Sequence, residues 1–266
     1  MRTILSFILV IQSVLVIAQE DSISITTDRP GFSEYSATIP RGYFQIEGGF
    51  SFENSTVNPT DRLQLINWNN TLIKYGLTNG WELRLGQTYQ SERLLEAGTS
   101  PQFIWRSFSG PVVIGTKFNL LNEAGLTPQT ALVVEYGFNT FAPETFLNNS
   151  FYRIQLSSKY TLNDAWYVMA NLGYDKGFND FGRLRYTLNS GYSINEKLSV
   201  FAEIYGFKSE VLTPLNYFDG GFTYLINPKL QFDLSAGFDL IQQLNTVEYQ
   251  QSFIAMGLSY LFKVQK

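Results

Sequence analysis

The chain has 266 residues, of which 16% are aromatic and 16% charged, and its formal net charge is −4. It contains neither Cys nor His, which excludes disulfides, thiolate metal sites, Ser-His and Cys-His catalysis and the common zinc sites. The sequence pI of about 5.0 provides no basic surface for nucleic acid. A hydrophobic content of 44% is that of a folded chain.

Residues 1–18 have the pattern of a secretory signal peptide. Arg2 precedes an apolar run from Ile4 to Ile17, and Val16 and Ala18 are small residues suited to cleavage after Ala18. A membrane-anchor helix is the alternative, but the run is short for a helix that crosses a bilayer. We therefore expect an exported protein, either a soluble β protein or a β-barrel of the bacterial outer membrane.

One pattern recurs four times: an aromatic residue, a short polar turn, and then Trp or Leu at the start of the next strand. It begins at Tyr75, Tyr160, Tyr192 and Tyr224. Counted in both directions from each Tyr, alternate positions are almost all apolar or aromatic, whereas the positions between them are mainly polar or charged. Alternation with a period of two predicts a two-faced antiparallel sheet of hairpins.

Three features favour a transmembrane barrel over a soluble β-sandwich, which would alternate in the same way. The strand segments are often about ten residues long, as a tilted membrane strand requires. Tyr and Trp cluster where strands meet the short turns, and the turns alternate between short and long. The sequence therefore predicts an all-β, antiparallel transmembrane barrel with short periplasmic turns and longer outer loops.

Twelve strands are predicted, with ten or fourteen left open because the long stretch 91–110 is hard to divide. The predicted strands are 42–53, 63–76, 81–90, 111–120, 130–139, 150–160, 166–175, 182–193, 198–208, 216–225, 230–240 and 249–262. The predicted domains are thus a signal peptide over 1–18, a periplasmic N-terminal segment over 19–41, and the barrel over 42–266. The closing stretch from Phe253 to Phe262 resembles the terminal strand signal by which the outer-membrane assembly machinery recognises barrels.

The N-terminal segment does not alternate and carries Thr27-Asp28-Arg29-Pro30-Gly31, followed by Ile39-Pro40-Arg41-Gly42 and Gln45-Ile46-Glu47. Together these motifs resemble the opening of an outer-membrane family described as the MetA pathway of phenol degradation, whose members are labelled transporters. The resemblance implies an outer-membrane barrel and the uptake of small, hydrophobic or aromatic compounds. Beyond residue 53 it rests on hairpin architecture rather than on distinctive residues.

Asp28, Arg29 and Pro30 place a charged pair before a rigid turn. One interpretation is a plug or latch, with Arg29 reaching carboxylates in the lumen. The other is a surface turn whose charges are solvated, and the sequence leaves both open.

The inward face of the predicted barrel is of mixed charge, and its residues either set the selectivity of a channel or brace the wall with salt bridges. The predicted lumen-lining residues are Glu47, Lys74, Glu82, Arg84, Lys117, Glu135, Arg153, Lys159, Glu203 and Asp233. An interfacial aromatic girdle is predicted at the turns. Its residues are Tyr75, Trp81, Tyr160, Trp166, Tyr192 and Tyr224.

The function that follows is a passive or facilitated outer-membrane channel for small molecules, with lipid, the solute and the barrel-assembly machinery as partners. The alternative is a closed structural or adhesion barrel that acts through loop aromatics such as Phe103, Trp105, Phe141 and Phe146. No enzyme, cofactor or metal site is predicted. The outer loops hold polar residues that could bind Ca²⁺ but are expected to be solvated instead, namely Asn54, Asp61, Glu144, Asp175 and Asp180.

Overall fold

The computed structural model describes residues 23–56, 61–95, 105–138, 150–177, 181–209, 214–240, 243–244, 247–248 and 250–264. The predicted signal peptide lies outside these residues, as do Phe103, Phe141, Glu144, Phe146 and Asp180. No helix within the described part of the chain is long and apolar enough to cross a membrane.

The described chain is built from strands that alternate with turns. In chain order they are β1 (Tyr43–Thr56), β2 (Arg62–Thr78), β3 (Trp81–Leu95), β4 (Arg106–Ser109), β5 (Val112–Leu121), β6 (Gln129–Phe138), β7 (Phe151–Thr161), β8 (Trp166–Gly177), β9 (Arg183–Ser193), β10 (Leu198–Ser209), β11 (Leu215–Asn227), β12 (Leu230–Asp239), β13 (Gln243–Leu244), β14 (Val247–Glu248) and β15 (Gln251–Lys263). The hairpin of β13 and β14 pairs only with itself.

Twelve of these strands form one closed antiparallel barrel. Each strand pairs with its neighbours in the chain, and β1 pairs with both β2 and β15, so the first and last strands close the ring. The predicted strand number and fold class are confirmed, and the soluble sandwich is excluded. Closure pairs both edges of each of the twelve wall strands, which is the condition for a β-structure to cross a bilayer.

The stretch 91–110 holds the main difference from the prediction. Strand β3 continues to Leu95, and β4 pairs with the outer part of β3. Gly110 and Pro111 then separate β4 from β5. Pro111 has no backbone N–H to donate to a neighbouring strand, so β4 and β5 are separate strands. Both of them pair with β3. Strands β1 and β8 also run farther than predicted, so Asn54 lies in β1 rather than in a loop, and Asp175, the predicted end of its strand, lies within β8.

The two faces of the wall are distinguished along β3. Glu82 is 0% exposed and Arg84 is 4% exposed, whereas Leu83 is 44% and Leu85 is 45% exposed. Charged residues thus face the lumen and apolar residues face outward, which is the inverse of a soluble protein and the arrangement that lipid requires. The outward apolar surface is continued by Ile114, Val134, Ile154, Leu156, Leu172, Leu188, Ile204, Ile254, Met256 and Leu258.

Both ends of the barrel chain lie at the end that carries the short turns. Tyr43 pairs with Lys263, and the two-residue turns at 79–80 and 228–229 connect strands at the same rim. Aromatic rings meet there on the outer face, with 4.5 Å between the ring centres of Phe44 and Tyr75 and 4.9 Å between those of Trp166 and Tyr192. We take this rim as the periplasmic one, because short turns face the periplasm in barrels of this type.

Candidate functional site

Residues 23–41, here called the N-terminal segment, lie inside the barrel. The segment has no strand of its own, and the polar side chains of the wall satisfy much of its backbone. It makes hydrogen bonds or ion pairs with side chains of β1, β2, β3, β5, β6, β8, β9, β10 and β12. Close to the periplasmic rim, Ile25 and Ile39 pack with Tyr43 and Leu261 in a small apolar cluster. The segment is therefore held along its whole described length.

Asp28 lies at the centre of this contact surface. One carboxylate oxygen is 2.9 Å from Nζ of Lys74 and 2.9 Å from Nη1 of Arg84, and the other is 3.0 Å from Nζ of Lys117. The same carboxylate accepts a hydrogen bond from the backbone N–H of Tyr35, which folds the segment back on itself. Three neighbouring strands thus direct one cation each at a single carboxylate.

Arg84 joins the segment to the wall through several carboxylates at once. Its guanidinium contacts Asp28 and Glu34 of the segment at 2.9 and 2.8 Å, and Glu82 and Glu135 of the wall at 3.1 and 3.2 Å. The planar guanidinium carries five N–H donors, which allows this number of partners. A lysine at this position could not bridge the four carboxylates in the same way.

Arg29 makes a two-pronged contact on the opposite side of the lumen. Its Nε and Nη2 donate to the two carboxylate oxygens of Asp233, at 3.2 and 3.0 Å. The guanidinium lies against Gly49 and Gly257, where an added Cβ would come within 2.4 and 2.3 Å of it. These two glycines face each other across β1 and β15, and Asp233 is the next residue in the same row. The guanidinium of Arg29 therefore packs against the flat surface formed by Gly49 and Gly257.

Glu203 binds the backbone of the turn that follows Arg29 in the N-terminal segment. Its two carboxylate oxygens accept hydrogen bonds from the N–H groups of Phe32 and Ser33, at 2.6 and 2.9 Å. The hydroxyl of Ser33 is 2.7 Å from that of Thr187. Asn171 completes the contact by accepting from the N–H of Glu34 and donating to its carbonyl.

The ionisation of the segment's two acidic groups differs. Burial alone would raise the pKa of Asp28, but the charges of Lys117, Lys74 and Arg84 hold it well below the ordinary value of 3.8. Burial, together with the nearby Asp28 carboxylate, raises the pKa of Glu34 above its ordinary 4.5 despite the opposing charge of Arg84. Asp28 is thus the firmly ionised anchor of the segment.

The segment separates two cavities. A larger one, of about 550 Å³, lies above it and is lined by wall residues that include Arg153, Arg185 and Phe253. A smaller one, of about 140 Å³, is lined by Ile25, Met169 and other residues nearer the periplasmic rim. Four residues line both cavities. They are Arg29, Pro30, Gly31 and Ser33.

Four aromatic rings form one side of the larger cavity. Phe32, Tyr205 and Tyr217 stack in sequence, with ring centres 4.1 and 5.0 Å apart and planes within 14° of parallel. Phe207 meets Phe32 edge-on at 6.0 Å. This aromatic cluster is absent from the predicted site residues, of which Glu203 is the nearest on the same strand. Continuing by two and four residues along the same face would have found Tyr205 and Phe207.

The family assignment follows from a match over most of the chain. Residues 27–253 match the family described as "Putative MetA-pathway of phenol degradation". The chain belongs to this family. The resemblance read from the residues around Asp28 and Arg29 is thereby confirmed, and the match begins at the segment that occupies the lumen. No curated protein matches the sequence.

Solved structures resemble this member of the MetA-pathway family in fold. The COG4313 outer membrane channel from Pseudomonas putida F1 is 15% identical with a TM-score of 0.59, over 88% of this chain and 99% of that chain. The TodX deltaS2S3 mutant monoaromatic hydrocarbon channel is 10% identical with a TM-score of 0.53, over 85% and 91%. The translocator domain of autotransporter NalP from Neisseria meningitidis is 10% identical with a TM-score of 0.54, over 82% and 88%. At these identities the likeness shows the outer-membrane barrel fold.

The structure places the ten predicted lumen residues of this family member on the inner face. Seven of them hold the N-terminal segment directly by side-chain hydrogen bonds or ion pairs, namely Glu47, Lys74, Glu82, Arg84, Lys117, Glu203 and Asp233. Glu47 accepts from the N–H of Asp28, and Glu135 pairs with Arg84 and Arg153. Lys159 lies over the rings of Tyr35 and Tyr167 instead of meeting a carboxylate among the described residues.

The six predicted girdle residues lie near the short turns. Trp81 stacks on Phe118, with ring centres 5.6 Å apart, and Tyr192 meets Trp166. Trp81, Trp166, Tyr192 and Tyr224 are each more than a third exposed, whereas Tyr75 and Tyr160 are partly covered. Contact of these rings with the lipid interface stays a prediction.

Proposed function

We propose that this protein is a bacterial outer-membrane channel for small hydrophobic or aromatic molecules, and that residues 23–41 are its plug. The observation that carries the proposal is the pair of cavities in one lumen. Of the described residues, Arg29, Pro30, Gly31 and Ser33 line both. Movement of the stretch from Arg29 to Ser33 would join the two cavities into one path. Family membership and the outward apolar face of the barrel support the outer membrane as its location.

The size and lining of the larger cavity suit a molecule with one aromatic ring. An apolar cavity of about 150 Å³ is known to accept benzene, so about 550 Å³ has room for such a molecule and some water. The face of Phe32 is 39% exposed although the residue lies inside the lumen. One structural neighbour is an outer membrane channel, and another, the TodX variant, is a monoaromatic hydrocarbon channel, which agrees with this solute class.

A non-enzymatic role fits the chemistry of the lumen. The wall carboxylates Glu135 and Asp175 are paired with arginines, and Glu203 is occupied by backbone N–H groups. The sequence also lacks His and Cys. We propose outer-membrane lipid around the apolar band and the barrel-assembly machinery at β15 as further partners. The aromatic end of that strand, where Tyr260 stacks on Phe262, supports the second of these.

Uptake of labelled toluene by cells tests the proposed function. Bacteria that express the protein should show a several-fold higher initial uptake than cells without it. Ala255 faces the larger cavity, and the variant Ala255→Trp should lower uptake towards the level of empty cells, because the indole occupies space that the solute would pass through. Ala202 lies on the outer face, so Ala202→Trp is the matched control and should behave as wild type. Equal uptake by expressing and empty cells would refute the channel.

A further inference from the structure

Arg185 is the least satisfied charged group around the larger cavity. Its side chain is only 8% exposed, it lines the cavity, and its Nε has no hydrogen-bond partner among the described residues. Its ion pair with Asp175 is long, at 3.8 Å from Nη1. A buried polar group without a partner is costly, and it is commonly a place where a ligand binds.

Three arginines share the carboxylate that lies nearest to Arg185. Asp175 is shared with Arg153, at 2.8 Å, and with Arg183, at 3.4 Å, both closer than Arg185. The next carboxylate along the wall, Glu135, is divided between Arg153 and Arg84. Both carboxylates therefore make their short contacts with other arginines. An anion that bound at Arg185 would gain a charge-assisted hydrogen bond.

The aromatic cluster lies beside this arginine. The guanidinium of Arg185 is 6.0 Å from the centre of the Phe207 ring, and that ring meets Phe32 at 6.0 Å. A flat ring in the cavity can therefore contact Phe32 and Phe207 while a substituent reaches Arg185. Glu53 also lines the cavity, but from β1, where its carboxylate accepts from Ser55. Glu34 lines the cavity as well, but it is paired with Arg84, so an anionic substituent is favoured on the side of Arg185.

We propose that the larger cavity is a binding site for single-ring aromatic carboxylates, with Arg185 as the carboxylate-binding residue and the faces of Phe32 and Phe207 as the ring-binding surface. This inference rests on the proposed function and narrows its solute class. A guanidinium and a carboxylate form two parallel hydrogen bonds, which a neutral hydroxyl group cannot match. The site should therefore select the acid over the alcohol of the same shape.

Calorimetric titration of the folded protein in detergent with benzoate, benzyl alcohol and cyclohexanecarboxylate tests the proposal. Benzoate should bind at least tenfold more tightly than either of the others, since only benzoate offers both the charge and the flat ring. Arg185→Gln should weaken benzoate binding at least tenfold and leave benzyl alcohol unchanged. Phe207→Leu should weaken benzoate and benzyl alcohol together, and Arg185→Lys should retain part of the preference.

The matched control is Arg62→Gln, because Arg62 is exposed at the start of β2 and does not line the cavity. It should bind benzoate as wild type does, and heat-modifiable gel mobility shows which variants are folded. Equal affinity for benzoate and benzyl alcohol in the wild type, or unchanged benzoate affinity in folded Arg185→Gln, would overturn the proposal. If toluene uptake persists in that case, only the acid preference fails; if uptake is also absent, the channel itself fails.

Discussion

Arg29 and Asp233 are separated by 204 positions in the sequence and meet through two hydrogen bonds of 3.2 and 3.0 Å. The contact depends on Gly257, which pairs with Asp233 across the sheet and leaves room for the guanidinium. A side chain at this glycine would displace the arginine while leaving the strand itself intact. Gly49 and Gly257 are thus needed for docking of the N-terminal segment rather than for formation of the barrel.

Gly257→Ala should therefore loosen the plug. Loss of a charge-assisted contact is worth about 1.5–3 kcal/mol, or roughly a ten- to hundredfold shift towards the undocked state. Single-channel recording should show more frequent openings. Gly48→Ala is the matched control, because a Cβ at Gly48 has no neighbour within 4 Å. Identical opening frequencies for the two variants would argue against the role of Arg29.

Asp28→Asn should release the segment more strongly than Gly257→Ala. It removes the carboxylate that meets Lys74, Arg84 and Lys117, and loss of one partner of a buried ion pair costs about 3–5 kcal/mol. The barrel strands do not depend on this group, so the thermal stability of the barrel should change little. A double-mutant cycle with Lys117→Met should be non-additive, because the two changes remove the same contact. Additive effects on open probability would contradict the assignment.

A reversible cross-link can hold the plug in place. The chain has no cysteine, and Ser33 and Thr187 have hydroxyl oxygens 2.7 Å apart, so Ser33→Cys with Thr187→Cys should form one disulfide. The oxidised double variant should be closed and should take up toluene no faster than empty cells, and a reductant should restore uptake. Each single variant, treated with the same oxidant, is the control. Uptake that is independent of oxidation would show that this segment need not move.

Acidification from about pH 7 to about pH 5 should not open the channel. The depressed pKa of Asp28 means that its contribution to docking is present above 3.8 and is lost only as the pH falls through the depressed value. The raised pKa of Glu34 has the opposite effect on docking. The ionised carboxylate weakens docking, so protonation of Glu34 as the pH falls through the raised value strengthens it. Open probability recorded across this range should stay level or fall. A rise near pH 5 that is absent from a variant without the segment would contradict these assignments.

The strands could be predicted from the sequence because alternation and turn residues are local signals. The predicted ends of the barrel strands lie within three residues of the observed ones, except at the outer end of β3, which continues past the predicted residue 90 to Leu95. Alternation carries no information on strand length above the membrane. For the same reason, β4 was not recognised within the long stretch before Pro111.

The contacts of the N-terminal segment were less predictable. The sequence suggested that Arg29 could reach a lumen carboxylate, but several were available, and the choice of Asp233 depends on the register that aligns it with Gly257. The aromatic cluster is a product of long-range geometry as well, because it combines Phe32 from the segment with rings from β10 and β11. No local pattern could have brought these residues together.

Single-channel conductance in a planar bilayer tests most directly whether the barrel is a channel and whether residues 23–41 close it. The mature protein and a variant that lacks residues 23–40 are compared, each shown to be folded by heat-modifiable gel mobility. We predict rare openings for the mature protein and steady conductance for the truncated barrel. Equal conductance in the two, or silence in a folded truncated barrel, would contradict the account.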